Sequence, residues 1–252
     1  MKISYYIIPV LGVLVFLLGG NPVSAQTTVV GCDFTGYLKD LEAVKNSTST
    51  DYIANIRSEL SIRKDLLKKI IDCSISETET LQSDLDSLKP ADQESEKIQS
   101  KLISELDQAV NYYKTQAESI GNLGILGSKN LAKKIIDWRS SNYAYLASRV
   151  RNFATWTDNQ DIITMTDIRF NQIQRSIKIF NIKDKDVDSI VVEAKRNLEA
   201  AKKLNDEAKE SFWEFTPISD PLELIKGSLQ SLALTYKNFL DLNESIKKIL
   251  PL

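Results

Sequence analysis

The 252-residue chain carries 32 basic and 34 acidic side chains, and 42% of its residues are hydrophobic. This near balance of charge argues against a nucleic-acid or anionic-membrane partner that is held by bulk charge. The lack of histidine excludes His-containing catalytic triads, two-His zinc sites and Glu-x-x-His di-iron sites.

The N-terminal segment has the pattern of a secretory signal peptide. Lys2 supplies a positive charge, an apolar run extends from 5 to 18, and the small residues at 23–25 fit a cleavage site. The run is shorter than the roughly 20 apolar residues that span a bilayer, although an uncleaved membrane anchor is the alternative. We therefore predict that residues 1–25 are removed and that residues 26–252 function outside the cytoplasm, secreted, in the periplasm or at the cell surface.

The two cysteines predict a covalent link near the start of the exported chain. Cys32 and Cys73 are the only cysteines, and an even pair in an exported protein is typical of a disulfide. The alternative is a lipid anchor, because residues 29–32 resemble a lipobox, but residues 21–28 separate them from the apolar run. Membrane contact is therefore expected only through an uncleaved leader or a lipidated Cys32.

Residues 26–120 predict a short helix followed by a long helical hairpin. Apolar residues at helical spacing indicate a first helix after Asp33, a second over about 51–88 and a third over about 91–120. Pro90 ends the second helix, since its ring would clash with the preceding turn. So short a connection predicts that the second and third helices are antiparallel.

Residues 128–252 predict further helices that pack on this hairpin. Ser128 is expected to cap the fourth helix, Asp158-Asn159 to form a turn before the fifth, and residues 181–186 to link the fifth helix to the sixth.

The last helix has the clearest predicted start. Asp220, Pro221 and Glu223 have the spacing of an N-cap, a first helical residue and a capping-box acid. No stretch alternates in the manner of a strand that is bounded by hairpin turns. The fold class is therefore predicted as one all-α domain, an elongated antiparallel helical bundle of about six to seven helices.

The glycine-rich stretch provides two candidate contact residues. Gly121, Gly124 and Gly127 are too closely spaced for a phosphate loop, which has four residues between its glycines, so we interpret the stretch as a helix link. Ile125 and Leu126 within it are candidates for insertion into a partner or a membrane, although packing beneath the bundle end is the favoured explanation.

Aromatic residues give two further candidates. Trp138 and Tyr145 lie at the spacing of the apolar stripe and are predicted to be core residues. Tyr143 and Trp156 lie off that stripe, so we interpret them as the candidates for exposed contact with a partner, with a core position as the alternative.

The alternating acids Asp184, Asp186 and Asp188 resemble the start of a calcium loop. An EF-hand needs Gly and Glu where this chain has Ser189 and Lys195. These acids therefore predict a capped helix start. For the chain as a whole, we predict no catalytic residue, cofactor site or metal site.

The leading functional hypothesis is a noncatalytic secreted or cell-envelope helical module for protein binding, spacing or scaffolding. Its expected partner is an unknown protein or envelope component, and no nucleic acid is expected. One alternative is a secreted membrane-active helical protein, although residues 120–126 are too short to form a spanning apolar hairpin. The other is an enzyme with a carboxylate-based site between helices, which requires a deep cavity and a buried carboxyl group.

Overall fold

The computed structural model describes residues 32–47, 51–213 and 220–249. The predicted signal peptide at residues 1–25 lies outside these described residues. The described secondary structure is helical, without a strand, which confirms the prediction of an all-α helical bundle for these ranges. In this part of the chain, no helix combines the length and the apolar character that a membrane crossing requires.

Seven α-helices, labelled in chain order, account for most of the described residues. They are α1 (Thr35–Lys45), α2 (Tyr52–Asp86), α3 (Gln93–Ser119), α4 (Ile125–Trp138), α5 (Ala144–Ile179), α6 (Lys185–Ser211) and α7 (Pro221–Ile249). A 3-10 turn (Ile120–Asn122) follows α3, and a π-helical segment (Arg139–Tyr143) joins α4 to α5 without interruption. The described chain therefore consists of six separate helical segments.

Aspartate side chains cap the starts of α6 and α7, as predicted. The Asp184 carboxylate accepts hydrogen bonds from the backbone N–H groups of Asp186 (2.9 Å) and Val187 (3.1 Å). The Asp220 carboxylate accepts one from the N–H of Leu222 (2.9 Å), and Pro221 is the first residue of α7. These bonds satisfy backbone donors that have no partner within the helix.

The chain divides into two compact units. Among the described residues, unit 1 comprises 32–47, 51–87 and 101–148, and unit 2 comprises 88–100, 149–213 and 220–249. The boundaries fall inside α3 and close to the start of α5, so both helices contribute residues to both units.

In unit 1, α2 and α3 run in opposite directions. The Lys64 ammonium donates to the carbonyl oxygen of Gly121 (2.7 Å), and the Gln82 amide donates to the carboxylate of Asp107 (3.0 Å). Residue numbers therefore increase along α2 while those of the contact partners decrease along α3 and the 3-10 turn that follows it. The antiparallel arrangement predicted for the hairpin is confirmed in this unit.

A disulfide joins Cys32 to Cys73, with 6.0 Å between the two Cα atoms, which confirms the predicted pairing. It fastens the start of α1 to the middle of α2. Leu41 on α1 is fully buried, and Phe34, at the N-cap of α1, is 5% exposed. Both belong to a core cluster whose other members include Leu66, Leu67, Ile70, Ile71, Tyr113 and Ile135. The disulfide and this apolar contact hold α1 on α2.

In unit 2, α5 and α7 run parallel to each other and antiparallel to α6. The Asn159 amide donates to the Ser228 hydroxyl (2.9 Å), and the Thr166 hydroxyl donates to the Tyr236 hydroxyl (3.3 Å). These partners are 69 and 70 residues apart, and a constant separation indicates parallel helices. The Arg149 guanidinium donates to the carbonyl oxygen of Phe212 (2.6 Å) and the Trp156 indole N–H to that of Asn205 (2.8 Å), so α6 is antiparallel to α5 and therefore to α7.

Small residues let α6 and α7 approach closely. Ala194, Ala201 and Ala208 are fully buried at seven-residue spacing on α6. On α7, a Cβ added at Gly227 would lie only 3.2 Å from a methyl carbon of Leu204. Close contact of backbones on this side leaves the larger apolar side chains to fill the space towards α5.

The predicted turn at Asp158-Asn159 is wrong, because α5 continues through these residues. Asn159 is buried, and its amide donates to the side-chain oxygen of Asn205 (2.7 Å) as well as to Ser228. Asparagine favours turns when its side chain bonds to its own backbone. Here the side chain bonds to α6 and α7 instead, which stabilises a helical position.

Candidate functional site

The two apolar candidates near the glycines lie at the start of α4 rather than in a link. Ile125 and Leu126 are the first two residues of that helix, with Gly124 at the N-cap. Ser128 is not the cap, and its hydroxyl donates to the carbonyl oxygen of Ile125 (2.7 Å). Leu126 is 71% exposed and Ile125 is partly buried, so only Leu126 offers a large accessible apolar surface.

The prediction that Tyr143 and Trp156 are exposed is wrong, since they are 0% and 1% exposed. Tyr143 is the last residue of the π segment, which changes the face that the following residues present. The Trp156 indole N–H donates to the carbonyl oxygen of Asn205 (2.8 Å) in the core of unit 2. Both aromatic residues therefore stabilise cores and are not available to a partner.

The core of unit 1 contains a buried charged cluster around Arg139, which sequence analysis did not identify. The guanidinium donates to the Glu77 carboxylate (2.8 Å), the Tyr113 hydroxyl (2.8 Å) and the Ser74 hydroxyl (3.2 Å). Its central carbon lies 4.6 Å from the centre of the Tyr143 ring. The cluster joins α2, α3 and the π segment through one cation.

Burial dominates the electrostatics of this Arg139 cluster. It raises the pKa of Tyr113 to about 12, although the Arg139 cation opposes the shift. Burial also raises the pKa of Tyr143 above its usual value. Burial alone would lower the pKa of Arg139, but Tyr113 and Glu77 outweigh it, so the pKa is raised and the guanidinium stays charged.

These shifts predict late ionisation of two tyrosines. A phenol whose pKa is raised in the folded state adds stability below its ordinary pKa of about 10, and that stability is lost as pH rises towards about 12. In an alkaline titration followed by phenolate absorbance, Tyr113 and Tyr143 should ionise after the exposed tyrosines. The Tyr113→Phe variant should lose one late-titrating group, and simultaneous ionisation of all tyrosines near pH 10 in folded protein would contradict the prediction.

The Arg139 cluster is closed rather than accessible. Arg139, Tyr113 and Tyr143 are 0% exposed, and Glu77 is 7% exposed. The charged and phenolic groups bond mainly to one another, which is how buried ions become tolerable in a protein core. We therefore assign it a structural role.

An accessible groove of about 560 Å³ lies between α5 and α7 in unit 2. It is lined by residues from the second half of each helix, namely Arg169, Gln172, Ile173, Ser176, Tyr236, Phe239, Leu240, Leu242, Asn243 and Ile246. This volume is within the range of about 300–1,000 Å³ that is usual for ligand sites.

The bottom of the α5–α7 groove is aromatic and its edge is apolar. Phe170 and Phe239 stack with ring centres 6.3 Å apart, and the Tyr236 ring meets Phe239 edge-on at 5.5 Å. Phe239 is 8% exposed and Leu242 is 1% exposed. Leu240, by contrast, is 68% exposed, so a large apolar side chain stands at the edge of the groove in contact with solvent.

This groove could not be predicted from the sequence, because its residues come from two helices that are about 70 positions apart along the chain.

Comparison with protein-family models, with curated proteins and with solved structures finds no match for this chain.

Proposed function

We propose that this chain is a noncatalytic extracytoplasmic helical module that binds a protein, and that the α5–α7 groove is its contact surface. The observation that carries this proposal is the combination of an open apolar groove with a large exposed leucine, Leu240, at its edge. Exposed apolar surface lowers solubility without benefit to the fold, so it commonly marks an interaction site. A groove between two helices is also a common receptor for an amphipathic helix.

The chemistry of the groove favours binding over catalysis. A carboxylate-based site requires acids whose surroundings separate their pKa values, and the residues that line the groove include no Asp or Glu. Their polar groups are one guanidinium, amides and hydroxyls, contributed by Arg169, Gln172, Asn243, Ser176 and Tyr236. Such groups orient a bound partner by hydrogen bonds.

The extracytoplasmic location is supported by the Cys32–Cys73 disulfide. Structural disulfides persist in oxidising compartments and are rare in the cytosol. The signal-peptide pattern at residues 1–25 supports the same location.

The groove can be tested with a labelled synthetic helix of about 18 residues that carries a leucine stripe and an uncharged polar face. We expect binding to the folded wild-type protein, measured by fluorescence anisotropy. Leu240→Glu should weaken this binding at least about tenfold, because it places a charge at the apolar edge of the groove.

Leu234→Glu is the matched control on the same helix. Leu234 is 51% exposed and does not line the groove, so this variant should bind the probe as the wild type does. Circular dichroism should show equal helix content in all three proteins. Absence of binding to the wild type, or equal loss in both variants, would contradict the proposed function.

A further inference from the structure

The α5–α7 groove contains one charged lining residue, Arg169. Its side chain is exposed, and the described part of the chain provides it with no hydrogen bond or ion pair. Some lysines elsewhere in unit 2 have such partners, as in Lys202 with Asp167 (2.6 Å) and Lys247 with Glu244 (3.2 Å). A guanidinium without an acid, beside apolar surface, is complementary to an anionic group on a partner.

Exposed apolar residues extend the groove along α5 in both directions. Met165 lies one turn before Arg169 and is 59% exposed, and Phe180 lies one turn after Ser176 and is 63% exposed. The Phe180 N–H donates to the carbonyl oxygen of Ser176 (3.0 Å), so helical geometry continues to this residue. At a rise of about 1.5 Å per residue, the strip from 165 to 180 is roughly 22 Å long, which corresponds to about four turns of a helix.

The α7 side presents a shorter strip. Tyr236 and Leu240 line the groove four residues apart, which places them on one helix face. With the separation of 70 residues they lie opposite positions 166 and 170 of α5, and Leu240 is 68% exposed. Two strips with an open channel between them match the face of a helix better than an enclosed small molecule, whose site normally buries about 70–90% of the ligand surface.

We propose that the occupant of the α5–α7 groove is an amphipathic helix of a partner protein that carries an acidic side chain on the edge of its apolar face. The apolar residues of this helix lie between the two strips, and its carboxylate binds the Arg169 guanidinium. This inference rests on the proposed function of the groove and adds the secondary structure and the charge of the partner segment. The carboxylate fixes the position of the helix along the groove, since the lining offers one cation.

The test uses two variants of the uncharged helical probe, each changed at the same position on the edge of its leucine stripe. The Glu probe carries glutamate there, and the Lys probe carries lysine. The wild-type protein should bind the Glu probe about tenfold more tightly than the Lys probe at low salt, and added salt should reduce the difference. Arg169→Glu should invert this preference. Arg175→Glu makes the same change of charge on α5 at an exposed residue outside the lining, so it should leave the preference for Glu intact.

The outcomes separate this inference from the proposed function. If the uncharged probe binds and Leu240→Glu weakens that binding, but the Glu and Lys probes bind equally, then the groove is a binding site. The inference that the partner helix carries an acidic side chain would be wrong. Equal effects of Arg169→Glu and Arg175→Glu would also overturn it, because they would indicate a response to net charge. Direct binding of dodecanoate, measured by isothermal titration calorimetry, together with failure of every helical probe to bind, would identify an anionic amphiphile as the ligand and overturn the inference.

Discussion

Replacement of Arg139 by methionine is expected to lower the free energy of unfolding by about 3–5 kcal/mol. Methionine fills much of the same volume but leaves the Glu77 carboxylate buried without its cation. In the wild type, the side chains of Arg139 and Glu77 are 2.8 Å apart and are 0% and 4% exposed. Tyr113 and Ser74 also lose a donor. Urea denaturation followed by circular dichroism measures the change directly.

An exposed ion pair nearby provides the control for burial. Lys133 and Asp137 on α4 are also 2.8 Å apart, but their side chains are 64% and 60% exposed. Lys133→Met should therefore cost at most about 1 kcal/mol. The double variant Arg139→Met, Glu77→Leu removes both buried charges and should recover most of the lost stability. A loss below about 1 kcal/mol in Arg139→Met would contradict the prediction.

The helices themselves could be predicted because apolar spacing, caps and proline positions agree along most of the chain. The starts of α6 and α7 follow from Asp184 and Asp220, whose side chains bond to nearby backbone within a few residues. The disulfide could also be predicted, since Cys32 and Cys73 leave no alternative pairing. These features depend on neighbouring residues or on simple counting.

The line of buried residues through α4 and α5 could not be predicted from regular helical spacing, because the π segment shifts it. Regular helical spacing from Leu131 and Ile135 leads to Trp138 and Tyr145, which were predicted to be core residues. Trp138 is partly buried against the core of unit 1, but the fully buried residues are Arg139 and Tyr143. The π segment adds a residue to the turn, so Tyr143, four positions after Arg139, lies on the buried face. A charged residue also gives no apolar signal, so its position in the core could not be detected from hydropathy.

The α5–α7 groove could not be predicted for a different reason. Its edges contain apolar residues, such as Met165 and Leu240, that sequence patterns do not distinguish from core residues on the same helices. Exposure of these residues depends on how α5 and α7 pack against each other, which follows from contacts between residues about 70 positions apart along the chain. Only the tertiary structure therefore separates a binding edge from a core stripe.

Removal of the Cys32–Cys73 disulfide is expected to destabilise the protein by about 4 kcal/mol in the chain-entropy model. The bond closes a loop of 41 residues, so the reduced chain gains conformational freedom mainly in the unfolded state. The helix that it fastens, α1, has 11 residues, and a helix this short is unstable alone in water. Its remaining attachment to α2 includes the burial of Phe34 and Leu41.

The double variant Cys32→Ala, Cys73→Ala separates the cross-link from thiol chemistry. Its urea midpoint should fall, and a reducing agent should lower the wild-type midpoint while leaving that of the variant unchanged. Hydrogen exchange should increase first in the amides of α1, because this helix loses its covalent attachment while α5, α6 and α7 keep their contacts in unit 2. Equal midpoints for oxidised and reduced wild type would contradict the prediction, as would peptide mass spectrometry that finds both thiols free in the folded protein.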